Sequence, residues 1–102
     1  MVQGLQSDER YARMLLRARI SRGQGPVRIE QELRSKGVGA ALIDQVVQEA
    51  DIDWFDLAKS TSERRFGTGP ATDLKLKSKQ YRFLQYRGFS AEQIQYAMNP
   101  EK

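Results

Sequence analysis

The sequence predicts an all-α protein: six helices forming two tandem three-helix repeats in an elongated, curved row. Three observations carry this expectation. Apolar residues return every three or four positions along most of the 102-residue chain, the spacing of one helix face. Val and Ile nowhere alternate with polar residues over a useful length, so no strand is expected. The chain also repeats itself. With Gly37 placed over Gly88, the stretch 28–47 (RIEQELRSKGVGAALIDQVV) matches 79–98 (KQYRFLQYRGFSAEQIQYAM): Leu33 falls on Leu84, Lys36 on Arg87, Val38 on Phe89, Ala40 on Ala91 and Ile43 on Ile94.

The first helix is expected to start at Ser7, a capping residue followed by Asp8 and Glu9 at the positive end of the helix dipole. Tyr11, Met14, Leu15 and Ala18 then mark its apolar stripe as far as Gly23. The segment GQGP reads as a turn, with Pro26 as the first residue of a second helix, where its missing N–H is no loss. That helix is expected to bury Val27, Ile29 and Leu33 and to stop at Gly37, since glycine enters the left-handed conformation freely. A third helix over about 40–50 carries Leu42, Ile43, Val46 and Val47.

The second triplet follows the same plan. Asp53 caps a fourth helix holding Trp54, Leu57, Ala58 and Phe66 and ended by Gly67, after which GTGPAT is a loop. A fifth helix runs over about 73–87. The sixth starts at Ser90, with Gln93 three residues on as a capping box, and ends at Asn99 and Pro100. Trp54, Phe83, Leu84 and Phe89 are assigned to the core.

Composition narrows the function. Hydrophobic residues make up 39% and charged residues 29%, so the core is small. The chain has no His and no Cys, which removes the commonest general base, thiol nucleophiles, disulfides and most transition-metal sites. Glu30 and Glu32 are two apart and point away from each other on a helix. The GQG pair follows no strand and precedes no Lys-Ser, so it reads as a helix–helix turn, not a phosphate loop. No catalytic residue, cofactor or metal is therefore expected, and the protein is read as a non-enzyme. No apolar run is long enough to span a bilayer, and MVQGLQSDER is not a signal peptide. A soluble cytoplasmic protein without membrane contact is expected.

The net charge of +4 is unevenly spread. Between Arg10 and Lys36 lie eight basic and two acidic residues, and between Arg64 and Arg87 seven basic and one acidic. At about 100° per residue, Arg10, Arg13 and Arg17 share one stripe of the first helix, and Lys75, Lys79, Arg82 and Tyr86 one sector of the fifth. Like charges at this spacing cost a helix a few tenths of a kcal/mol per pair. Such stripes suit a solvated surface or a face for an acidic partner. Tyr86, an aromatic among cations on the polar side, favours the second.

The combination of SRGQGPVRIEQELRSKGV, DIDW and RFLQYRGFSAEQI resembles the RecX family, bacterial regulators of the RecA recombinase, over about residues 7–98. The family is built of tandem three-helix repeats, usually three. The resemblance implies the second at 7–50 and the third at 51–99, with the N-terminal repeat absent and VQGLQSDERYA as the join to it. It further implies a non-enzymatic modulator that lies in the groove of RecA filaments on DNA. Such a modulator suppresses ATP hydrolysis, coprotease action and strand exchange, and blocks filament growth. Charge and face place the binding surface on Arg17, Arg19, Arg22, Arg28, Arg34 and Lys36 in the first repeat, with Lys75, Lys79, Arg82, Tyr86 and Arg87 in the second. The expected partner is the RecA filament, with single- or double-stranded DNA as a further ligand, and the chain itself is read as a monomer. Two other classes compete. One is a direct, sequence-independent nucleic-acid-binding module; the other is a passive scaffold or dimerisation unit.

Overall fold

The computed structural model describes residues 2–67 and 73–98, with side-chain packing from Asp8 onward. Six helices follow in order: α1 (Val2–Ser21), α2 (Pro26–Ser35), α3 (Ala40–Ala50), α4 (Trp54–Phe66), α5 (Leu74–Tyr86) and α6 (Ala91–Met98). No strand occurs among the described residues. The expected loop over 68–72 and the stop at Asn99 and Pro100 lie outside them.

The two repeats end their middle helices in the same way. In α2, Gly37 (φ +89°) donates to the Arg34 carbonyl at 3.0 Å and Val38 to the Leu33 carbonyl at 3.0 Å. In α5, Gly88 (φ +97°) donates to Gln85 at 3.0 Å and Phe89 to Leu84 at 3.2 Å. This paired arrangement closes a helix whose next residue is left-handed, and it places an apolar residue beyond the glycine back over the helix. Val38 and Phe89 are accordingly buried beside Leu33 and Leu84. The other ends follow local chemistry. The Asp53 carboxylate accepts from the Asp56 amide at 3.0 Å and that of Asp73 from Leu76 at 2.7 Å. Ser90 and Gln93 form the reciprocal capping box, at 2.9 and 3.3 Å.

Two small cores result. Ala12, Leu15, Leu16, Ile29, Leu33, Val38, Ile43 and Val46 make the first, and Ala58, Leu84, Phe89, Ile94 and Ala97 the second. Burying a Leu or Ile contributes about 1.5–3 kcal/mol each. Trp54 opens the second repeat yet packs half-buried on the first core, so it ties the two together. On α4 the buried face is small, Ala58, Thr61 and Ser62, which lets α6 approach closely. The molecule is elongated, 55 × 22 × 19 Å.

Three expectations need correction. The helix α1 begins at Val2, so Ser7 is interior and caps nothing. Gln3, Leu5 and Gln6 are good helix formers, and the single Gly4 costs about 1 kcal/mol, too little to end a helix. Met14 is 62% exposed and Ala18 is exposed, because the inner face of α1 is centred on Ala12, Leu15 and Leu16. Val27 is 44% exposed, because two residues from Ile29 it points away from the face of α2 that Ile29 and Leu33 bury.

Candidate functional site

The two repeats meet where the α1–α2 turn lies against the α5–α6 turn. The Gly25 amide donates to the Arg87 carbonyl at 2.7 Å, and the Val27 amide to the Gly88 carbonyl at 2.9 Å. The first amides of a helix have no partner within it. Here α2 has no side-chain cap, and the turn of the neighbouring repeat supplies the acceptor. The approach is backbone to backbone. A β-carbon on Gly25 would sit 2.5 Å from the Gly88 carbonyl, and one on Gly88 would overlap Arg28. Two guanidiniums cross the same seam in opposite directions. Arg28 donates to the Tyr86 carbonyl at 3.0 Å and Arg87 to the Arg22 carbonyl at 2.8 Å. Each also stacks on an aromatic ring, Arg28 at 4.8 Å from the centroid of Tyr86 and Arg87 at 5.0 Å from that of Phe83.

The joint thus gathers four of the residues read from sequence as binding residues: Arg22, Arg28, Tyr86 and Arg87. From it an exposed stripe runs back along α5 through Arg82, Lys79 and Lys75. Tyr86, 72% exposed, links stripe and joint. Lys75 and Lys77 lie near the N-terminus of α5, where positive charge opposes the helix dipole. Folding gains nothing from them.

The remaining expected residues are placed otherwise. Arg19 grips Glu32 with two hydrogen bonds, 2.9 and 2.7 Å, and both side chains are largely shielded, 21% and 27% exposed. At about 100° per residue Arg19 falls between Leu15 and Leu16 on the inner face of α1, so its charge needs an internal partner. The hydrogen bonds from Arg19 hold the Glu32 carboxyl below the usual carboxylate range, against partial burial, and the Arg19 guanidinium is raised in turn. Arg13 is likewise engaged, bridging Glu9 at 2.6 Å and Glu49 at 2.5 Å. Among the described residues no other cation forms an ion pair. Arg17, Arg34 and Lys36 are exposed on the first repeat, away from the joint's hydrogen bonds.

Sequence reasoning missed Val27, Gln31 and Gln85, which with Arg28, Tyr86 and Gly88 line an open groove of about 350 Å³ beside the joint. The signal for it was the pair of Gly-rich turns, since two turns that both need glycine can approach each other closely. Among the described residues there is no group of His, Cys, Asp and Glu fit to hold a metal, and no helix long and apolar enough to cross a membrane.

Two family models match. Residues 7–47 fit the description "RecX, second three-helix domain" and residues 51–98 "RecX, third three-helix domain". The regulatory protein RecX of Halorhodospira halophila is 46% identical over 95 residues, covering 93% of this chain and 59% of that protein. The relative of the same name in Acinetobacter baylyi is 45% identical over 97 residues, covering 95% and 60%. In Shewanella oneidensis a shorter relative is 36% identical, covering 94% of this chain and 87% of its own. The chain thus spans about three fifths of the first two relatives.

Proposed function

The chain belongs to the RecX family, and from that premise we propose that it is a non-enzymatic regulator that binds RecA–DNA filaments. In this reading it inhibits RecA ATPase, coprotease and strand-exchange activity. Its two triplets, residues 7–50 and 51–99, act as the family's second and third repeats and lie along the filament groove in the cytoplasm. A row of repeats touching only their neighbours presents an extended surface suited to a filament. The observation that carries the reading is the exposed Lys75–Lys79–Arg82–Tyr86 stripe, which no acidic residue neutralises among the described residues and which runs into the joint. Arg19 acts within the chain as a strut. Arg87, through its bond to the Arg22 carbonyl, helps to set the joint, while the side chains of Arg17, Arg22, Arg34 and Lys36 extend the charged surface over the first repeat.

Taken without the family membership, the same stripe suits a second reading, direct and sequence-independent binding of nucleic acid. Among the described residues no helix offers a groove-entering face with Asn, Gln and Arg arranged to read bases, so such binding would rest on phosphate contacts alone. RecA ATPase on single-stranded DNA, with and without the chain, tests the proposal. Inhibition at stoichiometric amounts is expected; unchanged hydrolysis in the presence of bound chain contradicts it.

A further inference from the structure

The groove beside the joint has a composition of its own. It is lined by Val27, a residue 44% exposed, and by Tyr86, 72% exposed. Arg28 lies between them. Its Nη1 is committed to the Tyr86 carbonyl at 3.0 Å and its guanidinium is stacked 4.8 Å from the Tyr86 centroid. Nε and Nη2 of Arg28 have no hydrogen-bond partner among the described residues. The side chain is therefore ordered before any ligand arrives, with donors to spare, which suits a carboxylate and lessens the entropy lost on binding. Gln31 and Gln85 flank it with amides that form no hydrogen bond among the described side chains, ready to hold a main chain. Among the described residues no acidic one lines the groove, and Arg28 is the one cation that does.

That balance selects the ligand. A phosphate backbone is held by several cations in a row and gains nothing from an exposed valine. An interface hot spot on a protein is typically an Arg or Tyr set beside a desolvated apolar surface. We propose that this groove seats one short acidic segment of a partner protein. An Asp or Glu carboxylate lies on Arg28, and an adjoining apolar side chain packs against Val27 and the free face of Tyr86. The inference rests on the filament reading above and takes the RecA filament as its partner.

The test uses the whole chain and RecA filaments on single-stranded DNA. Tyr86→Ala and Val27→Ser alter exposed side chains and leave the backbone bonds of the joint in place, so their melts should match the parent. Each should weaken filament binding about tenfold, as loss of a hot-spot side chain does. Arg28→Lys keeps the charge but loses the planar fork, and a similar loss is expected. A photoreactive benzophenone amino acid at Gln85 should crosslink to a RecA peptide containing Asp or Glu. If the parent binds filaments while all three variants bind equally well, the groove is not the site and the filament reading stands. Crosslinking to DNA instead of protein overturns the proposed ligand in favour of nucleic acid. If the parent itself does not bind filaments, the filament reading fails first and the groove proposal with it.

Discussion

The Gly25 amide meets the Arg87 carbonyl at 2.7 Å, so a glycine before the second helix is held by the last turn of the fifth. Gly25 and Gly88 are needed for this contact, whereas Gly37, the repeat counterpart of Gly88, has nothing within 4 Å of where a β-carbon would stand. Gly37→Ala should therefore cost only its left-handed conformation, about 1 kcal/mol. Gly88→Ala carries that strain plus a collision with Arg28, and Gly25→Ala a collision with backbone, so both should cost more than Gly37→Ala. Urea unfolding of the three variants gives the ranking. Equal losses would mean that the joint yields freely.

Leu33 and Leu84 occupy the same place in the two repeats, and both are fully buried. Truncation of either to Ala should destabilise the protein by about 2–5 kcal/mol, measured by chemical denaturation. A loss below 1 kcal/mol at either position would show that its core collapses around the gap.

The Arg19–Glu32 pair predicts a pH dependence. Glu32 is held below its usual carboxylate range when folded, mainly by the hydrogen bonds from Arg19. Its contribution is thus complete above the unfolded carboxylate range and is lost as pH falls through the lower folded value. Glu49, held down by Arg13 and then Gln45, acts in the same direction. Melting temperature should drop as pH falls from 6 towards 3, and Glu32→Gln should lessen that drop. For a partly shielded surface pair the difference is about 0.5–1 kcal/mol. Parallel pH profiles for parent and variant would remove the pair from the stability account.

The repeat, its glycines and the caps other than Ser7 were legible because they are local. Gly37 and Gly88, the Ser90–Gln93 box and the Asp53 cap depend on a few neighbouring residues, and all form as expected. What was not legible depends on contact between repeats. Val27 is a different case: two residues from Ile29 it stands on the outer side of α2, so the helical spacing itself argues against its burial and only its apolar character suggested it. Periodicity cannot show that Trp54 reaches back to the first core. Arg19 reads as one more surface cation until Glu32, on another helix, is seen to face it. Charge count found the stripe on α5, but not that the guanidiniums of Arg28 and Arg87 are partly committed to the joint.

Reversing the charge of Lys79 and Arg82 together, as Lys79→Glu with Arg82→Glu, should weaken filament binding and relieve inhibition of RecA ATPase. Both residues are exposed, and stability should change by no more than about 0.5 kcal/mol. Retained inhibition with an unchanged melt would place the interface elsewhere on the molecule.

Whether the basic face recognises a protein filament is decided by a single comparison. Binding of the unaltered chain is measured to RecA filaments on single-stranded DNA and to the same DNA without RecA, at near-physiological salt. Firm binding to the filament, with modest salt dependence, is expected, and weak binding or none to bare DNA. Tight binding to bare DNA would contradict it, above all if the logarithm of affinity fell with the logarithm of salt at roughly 0.7 per phosphate contacted.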